Sequence, residues 1–215
     1  DDCWVLNADA FGATLIRTTP TSKTQAGGAS KCVSSTGRVR FSGQTRDLPD
    51  LAGGIPAEGT ATAERSKQPG NLLEQMGKPS VCALNGKARG GGNEIAMCCT
   101  ARIIRKGFSM AVAQPEPNLG IVPGAGATQR LPRLVGLQRA AVMLRTGRPL
   151  SGRDAVACGL IREEVDGDVV EAAIALARAA AHGSVTLKAL DPRALETPQS
   201  LPPVELGHLS KATDA

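Results

Sequence analysis

An α/β fold built around a parallel sheet is what three features of the sequence predict. From Asn71 onward, short apolar runs of strand length alternate with stretches of helical spacing. Several of those stretches carry their own start or stop residues, such as Ser151 before one and Gly147 after another. The chain has 215 residues, 41% of them hydrophobic and 21% charged, the balance of a globular protein able to bury one large core.

The elements follow in order. Residues 1–40 give no clear period, and "TTPTSKTQAGGASK" (18–31) is polar and rich in Gly, Ser and Thr, so loop or disorder is expected there. "RVRFSG" (38–43) alternates like a short strand. "DLAGGIPAEGTATAERSKQPG" (50–70) reads as mobile loop, and "NLLEQM" (71–76) as the end of a helix stopped by Gly77 and Pro79. "SVCALNG" (80–86) is a buried strand closed by a turn. "NEIAMCCTARII" (93–104) begins helical and turns β-like at Ala101–Ile104. "FSMAVA" (108–113) is a second buried strand. "GATQRLPRLVG" (126–136) places Leu131, Leu134 and Val135 at helical spacing, and "QRAAVMLRTG" (138–147) is an amphipathic helix. "SGRDAVACG" (151–159) is a short capped helix, "LIREEV" (160–165) a strand and "DVVEAAIALARAAA" (168–181) a strong helix. No internal repeat is visible.

Composition excludes several function classes. A net charge of +5 and a pI near 9.1 fit an anionic ligand and a solvated basic surface equally well. Aromatics are 2% of the chain, too few for the stacking platforms of single-strand nucleic-acid readers. No run of about 18 apolar residues predicts a membrane span. The N-terminus "DDCWVLNADAF" lacks the basic and apolar regions of a secretory signal, so a cytoplasmic location is expected. The six cysteines form no CxxC, and neither His182 nor His208 lies near a cysteine pair, so reduced, packed thiols are expected rather than a metal site. "RIIRK" (102–106) reads as a solvated turn, and the two histidines as surface residues.

Two carboxylates stand at turns. Glu94 falls in the first turn of a helix that starts at the Gly90–Gly92 run in "RGGGNEIAM". Unpaired N–H groups at such a start, with glycines that let a ligand approach, suit a site that stabilises a developing oxyanion. The same acidic residue also simply complements the helix dipole. Glu116 lies between Pro115 and Pro117 in "AQPEPNLGIVPGAG", which alone reads as an exposed turn. Neither stretch is a dinucleotide or phosphate loop, since the GxGxxG and GK[ST] spacings are missing.

Taken together and in order, "KPSVCALNGKARGGGNEIAM", "AQPEPNLGIVPGAGATQRLPRLVG" and "LRTGRPLSGRDAVACGLIREEV" strongly resemble the crotonase superfamily of enoyl-CoA hydratases and isomerases, from about Lys78 to Val165. The resemblance implies an α/β spiral of ββα turns, here incomplete at the N- and C-terminal ends, usually assembled as trimers or hexamers. It implies an acyl-CoA thioester substrate, with coenzyme A as part of the substrate and no separate cofactor. Glu94 and Glu116 would hold one water, the N–H of Gly91 would serve the thioester oxyanion, and the N–H of Gly124 would help position the water. The second oxyanion donor would come from "FSGQTRDL" (41–48), one residue longer than the family pattern, through the N–H of Arg46. Possession of both glutamates favours hydration. Double-bond isomerisation, CoA-ester hydrolysis and a non-catalytic scaffold are the alternatives. The expected organisation is a core over 1–181, divergent and loop-rich over 1–70, and a C-terminal helical segment over 182–215.

Overall fold

The computed structural model describes residues 3–9, 12–18, 56–188 and 190 of the chain. Its centre is a five-stranded sheet. Strands β1 (Cys3–Asp9) and β2 (Gly12–Thr18) form an antiparallel hairpin with Val5 opposite Ile16. Next in the sheet come β3 (Ser80–Leu84) and then, beyond it, β5 (Ala101–Arg105), each parallel to its neighbour. The far edge is β7 (Glu163–Val165), also parallel.

A second, two-stranded parallel sheet pairs β4 (Ala88–Arg89) with β6 (Val112–Ala113). The pairing shows how the chain winds. β3, β4 and the helix α2 (Gly91–Ala96) make one ββα turn. β5, β6, a short 3-10 turn (Glu116–Leu119) and the helix α3 (Ala127–Val135) make the next. Each turn lays one strand on each sheet, so the loops that follow β4 and β6 come to lie side by side.

The central strands are buried on both faces, and successive side chains point to opposite sides. Leu6, Cys82, Leu84 and Ile104 join Met97, Leu131, Met143 and Leu160 in one core. Val5, Val81, Ala83 and Ile103 join Val169, Ala173 and Ala177 of α6 (Val169–Ala181) in the other. Helices α4 (Leu137–Thr146) and α5 (Gly152–Ala157) lie on the first side. Ser151 caps α5, its Oγ accepting from the Asp154 N–H, and Asp168 caps α6.

Four expectations need correction. The stretch 50–70 is not a loop where it is described: α1 (Pro56–Gln75) runs through it, with Pro69 inside. Its Ala, Glu, Lys and Gln residues favour helix, but its polar residues are spread all round, so no amphipathic period marks it. Gly70 and Leu73 anchor it, and a Cβ on Gly70 would lie 2.6 Å from the Cys98 sulfur. The N-terminal region likewise holds the β1–β2 hairpin. Buried Val5 and Leu6 sit on opposite faces, so the strand has no polar alternation to read. "RIIRK" is strand rather than solvated turn. Arg102 is buried and donates to the Cys99 and Leu160 carbonyls. Finally, only Val112–Ala113 of "FSMAVA" and Glu163–Val165 of "LIREEV" are strand, because turns consume the preceding residues.

Candidate active site

The site grows from Gly90. Its φ of 54° lies in the left-handed region, which turns the chain out of β4 and into α2. Its carbonyl accepts the Glu94 N–H at 2.9 Å. A Cβ on its other side would stand 2.9 Å from Glu116 Oε1. One glycine therefore touches the backbone of one glutamate and the carboxylate of the other. Its N–H, bonded to the Ala113 carbonyl at 3.0 Å, ties the turn to the strand that leads to Glu116.

Glu94 is 2% exposed and Glu116 8%. Glu94 Oε1 accepts the N–H groups of Ala125 and Ala127, both at 2.9 Å, and the Gly126 N–H acts on the same carboxylate. Gly126, at φ 114°, lets three successive N–H groups converge in this way. Burial raises the Glu94 pKa above the ordinary carboxylate range, opposed by those N–H groups and by the Arg130 cation. Burial also raises the Glu116 pKa, and the Glu94 charge adds to the rise. Two buried carboxyls that repel each other favour a state with one proton between them, which is an acid beside a base.

Glycines leave the room this pair needs. A side chain built on Gly91 would meet nothing within 4 Å, so its backbone borders open space. Gly124 is half-buried, in the loop that holds Glu94 and next to Ala125. Arg46 lies outside the described residues. Four of the five expected site residues are thus placed, and two of them, Glu94 and Glu116, act on each other.

Sequence reading missed three supporting side chains. Arg130 is buried and makes a two-pronged pair with Glu74 of α1, at 2.8 Å on each side. It also donates to Asn71 and to the Ala125 carbonyl, both at 2.9 Å. It therefore ties α1 to the loop that grips Glu94. A Cβ on Gly126 would collide with its guanidinium, so Arg130 and Gly126 require each other. Asn93 and Gln114 are the other two: Asn93 Nδ2 donates to Gln114 Oε1 at 2.7 Å, and Gln114 Nε2 faces both Glu116 oxygens at 3.4 and 3.5 Å. The signals for these residues were present in the sequence only as neighbours of the two motifs. An apolar-period reading of "TQRLPRLV" passes over Arg130.

Among the described residues no cluster of His, Cys, Asp and Glu could hold a metal ion. Cys82, Cys98 and Cys99 are buried free thiols. Burial pushes Cys98 up to about 12. His182 ends α6 at the surface.

Comparison with known proteins identifies relatives of the chain. The sequence pattern of one family, described as enoyl-CoA hydratase/isomerase, matches residues 33–200. A protein of Bacillus subtilis (strain 168) named probable enoyl-CoA hydratase is 37% identical over 158 residues, 72% of this chain and 60% of that protein. The fatty acid oxidation complex subunit alpha of Idiomarina loihiensis is 44% identical over 93 residues, 43% of this chain and 13% of that one. Among solved structures, an enoyl-CoA hydratase from Bacillus anthracis superposes with a TM-score of 0.55 at 36% identity, covering 61% of this chain and 51% of that chain. Pseudomonas aeruginosa DspI does so with a TM-score of 0.58 at 35% identity, covering 63% and 55%. The chain thus spans 60% of the Bacillus subtilis relative and little more than half of these solved chains.

Proposed function

The chain belongs to the enoyl-CoA hydratase/isomerase family, and from that premise we propose that it adds water across the 2,3-double bond of an enoyl-CoA thioester. The observation that carries the proposal is the pair of buried glutamates meeting at Gly90, one from α2 and one from the turn after β6. Hydration needs both. A base removes a proton from water as its oxygen bonds to Cβ. The electrons of the double bond move toward the thioester carbonyl, and an acid then delivers a proton to Cα.

In this reading Glu94 is the base. Its Oε1 is pinned by the Ala125 and Ala127 N–H groups, which fixes the carboxylate in the pocket. Glu116 is the proton donor, since burial and the neighbouring charge both favour its protonated form. The N–H of Gly91 faces the developing oxyanion, and the N–H of Gly124 orients the water. The N–H of Arg46 is proposed as the second oxyanion donor. A preorganised donor of this kind is worth roughly 10²–10³-fold in kcat. No cofactor is proposed, because coenzyme A enters as part of the substrate. Assembly into trimers or hexamers and a cytoplasmic location complete the proposal.

The test is product analysis with short-chain trans-2-enoyl-CoA. Hydration predicts a 3-hydroxyacyl-CoA, heavier than the substrate by one water. A 3-enoyl-CoA of unchanged mass would identify an isomerase. Release of free coenzyme A would identify a hydrolase, and an unchanged substrate would favour a scaffold.

A further inference from the structure

A buried acceptor beside the two glutamates has no partner among the described residues: Asn93 is 1% exposed, and its Oδ1 makes no hydrogen bond there. Leaving such an atom unpaired is costly and calls for a reason. The other end of the same amide is tightly engaged, Nδ2 to Gln114 Oε1 at 2.7 Å. Gln114 is fully buried, and its Nε2 in turn faces the Glu116 carboxylate at 3.4 and 3.5 Å. The result is a chain of two amides ending on the carboxyl assigned as acid. Its inner link is short and its outer link is long.

A primary amide has a donor end and an acceptor end of nearly the same shape. In the arrangement seen, donors run from Asn93 to Gln114 to Glu116, which suits an ionised carboxylate. Turning both amides over reverses every link. Gln114 Nε2 then donates to Asn93 Oδ1, and Gln114 Oε1 accepts the O–H of a protonated Glu116. The unpartnered Oδ1 is the acceptor that this second arrangement uses. We propose that Asn93 and Gln114 are positioning residues that follow Glu116 through its two protonation states, presenting a donor to the carboxylate and an acceptor to the acid.

The groups around Glu116 leave this assignment clear. Glu94 of α2 is the titratable group that acts on it. Among the described residues, the Nε of Arg89 of β4 is buried without a hydrogen-bond partner. Arg139 and Arg145 of α4, which packs on the Glu116 turn, are exposed. β6 brings no titratable side chain. The catalytic value of the relay rests on the hydration reading above. Its existence does not, because it is read without substrate.

The experiment is a nuclear magnetic resonance titration of the full chain. It follows the Glu116 side-chain carboxyl carbon together with the side-chain amides of Asn93 and Gln114. Both amides should move with the Glu116 midpoint in the wild type. In Gln114→Met, Asn93 should cease to report it. An Asn93 amide that is silent in the wild type would overturn the proposal, and so would one that still follows Glu116 without Gln114. Asn93→Asp adds a second arm. An aspartate only accepts, so it turns the Gln114 carbonyl toward Glu116 and should raise the midpoint by about one pH unit. That rise should shrink at least threefold in the Gln114→Met background. An equal rise in both backgrounds would mean a bare charge effect and no relay. The wild-type arm needs no variant to fold. Failure of hydration with an intact relay would reject the proposed reaction alone.

Discussion

Glu94 and Glu116 are costly residues for the fold. Both carboxyls are buried, and burial holds the pKa of each above the ordinary value. The folded protein therefore binds these protons more tightly than the unfolded chain does. The sign follows: stability falls as pH rises from the ordinary carboxylate range through the raised midpoints. Glu116→Gln removes that cost while keeping a carbonyl oxygen in place. Its melting temperature should exceed the wild-type value at about pH 7, and the gain should fade toward about pH 4. A variant less stable than wild type at neutral pH would show that the ionised carboxylate is better solvated in the fold than its burial implies. Both glutamates were legible in the sequence because each sits beside glycines or prolines in a motif. What the sequence did not show was their distance from solvent. Alone, each reads as a dipole complement or a turn residue, and only the turn at Gly90 brings them onto one another.

At the scale of elements, the site depends on a clamp. Arg130 of α3 reaches back to Glu74 and Asn71 of α1 and forward to the loop around Ala125. The Arg130 side chain is shielded from solvent, while that of Glu74 is partly exposed. Arg130→Ala removes four side-chain hydrogen bonds and should cost about 3 kcal/mol in a urea melt. Glu74→Gln keeps most of the shape and is the milder probe. It should lower kcat more than it raises KM, because the loop that grips Glu94 loses its anchor while the glycine run is untouched. An unchanged kcat would detach α1 from catalysis. The helix α1 also marks where sequence reading stops. Its C-terminal turn was legible from "NLLEQM" and Gly77, but its polar, proline-containing body was not. Helices α3 to α6 were legible because each buries a periodic apolar face and most end on a cap or a glycine. Strand β1 was not, since it is buried on both faces, whereas β7 was legible from "LIREEV" but is only three residues long.

Among the described residues one winding step occurs twice. That repetition lays β3 beside β5 and β4 beside β6, and so sets the Gly90 turn beside the Glu116 turn. The α/β class and the parallel sheet were legible from the alternation of apolar runs and helices. The second sheet was not, because its strands are two residues each. Leu119, Ile121, Val122 and Val142 are exposed around the Glu116 turn and on α4. A group of large apolar side chains at one place calls for a cover. The assembly proposed above predicts a mass of three or six copies in sedimentation of the purified chain, and a stable monomer would remove assembly from the proposal.

The central claim is that two carboxylates from successive turns act on one water. Loss of the conjugated enoyl-thioester absorbance tests it, measured side by side for wild type, Glu94→Gln and Glu116→Gln with short-chain trans-2-enoyl-CoA. Hydration by the wild type is expected, with each variant slower by about 10²–10⁴-fold while still binding coenzyme A. If either variant hydrates the substrate at the wild-type rate, that glutamate does not act on the water and the claim is contradicted.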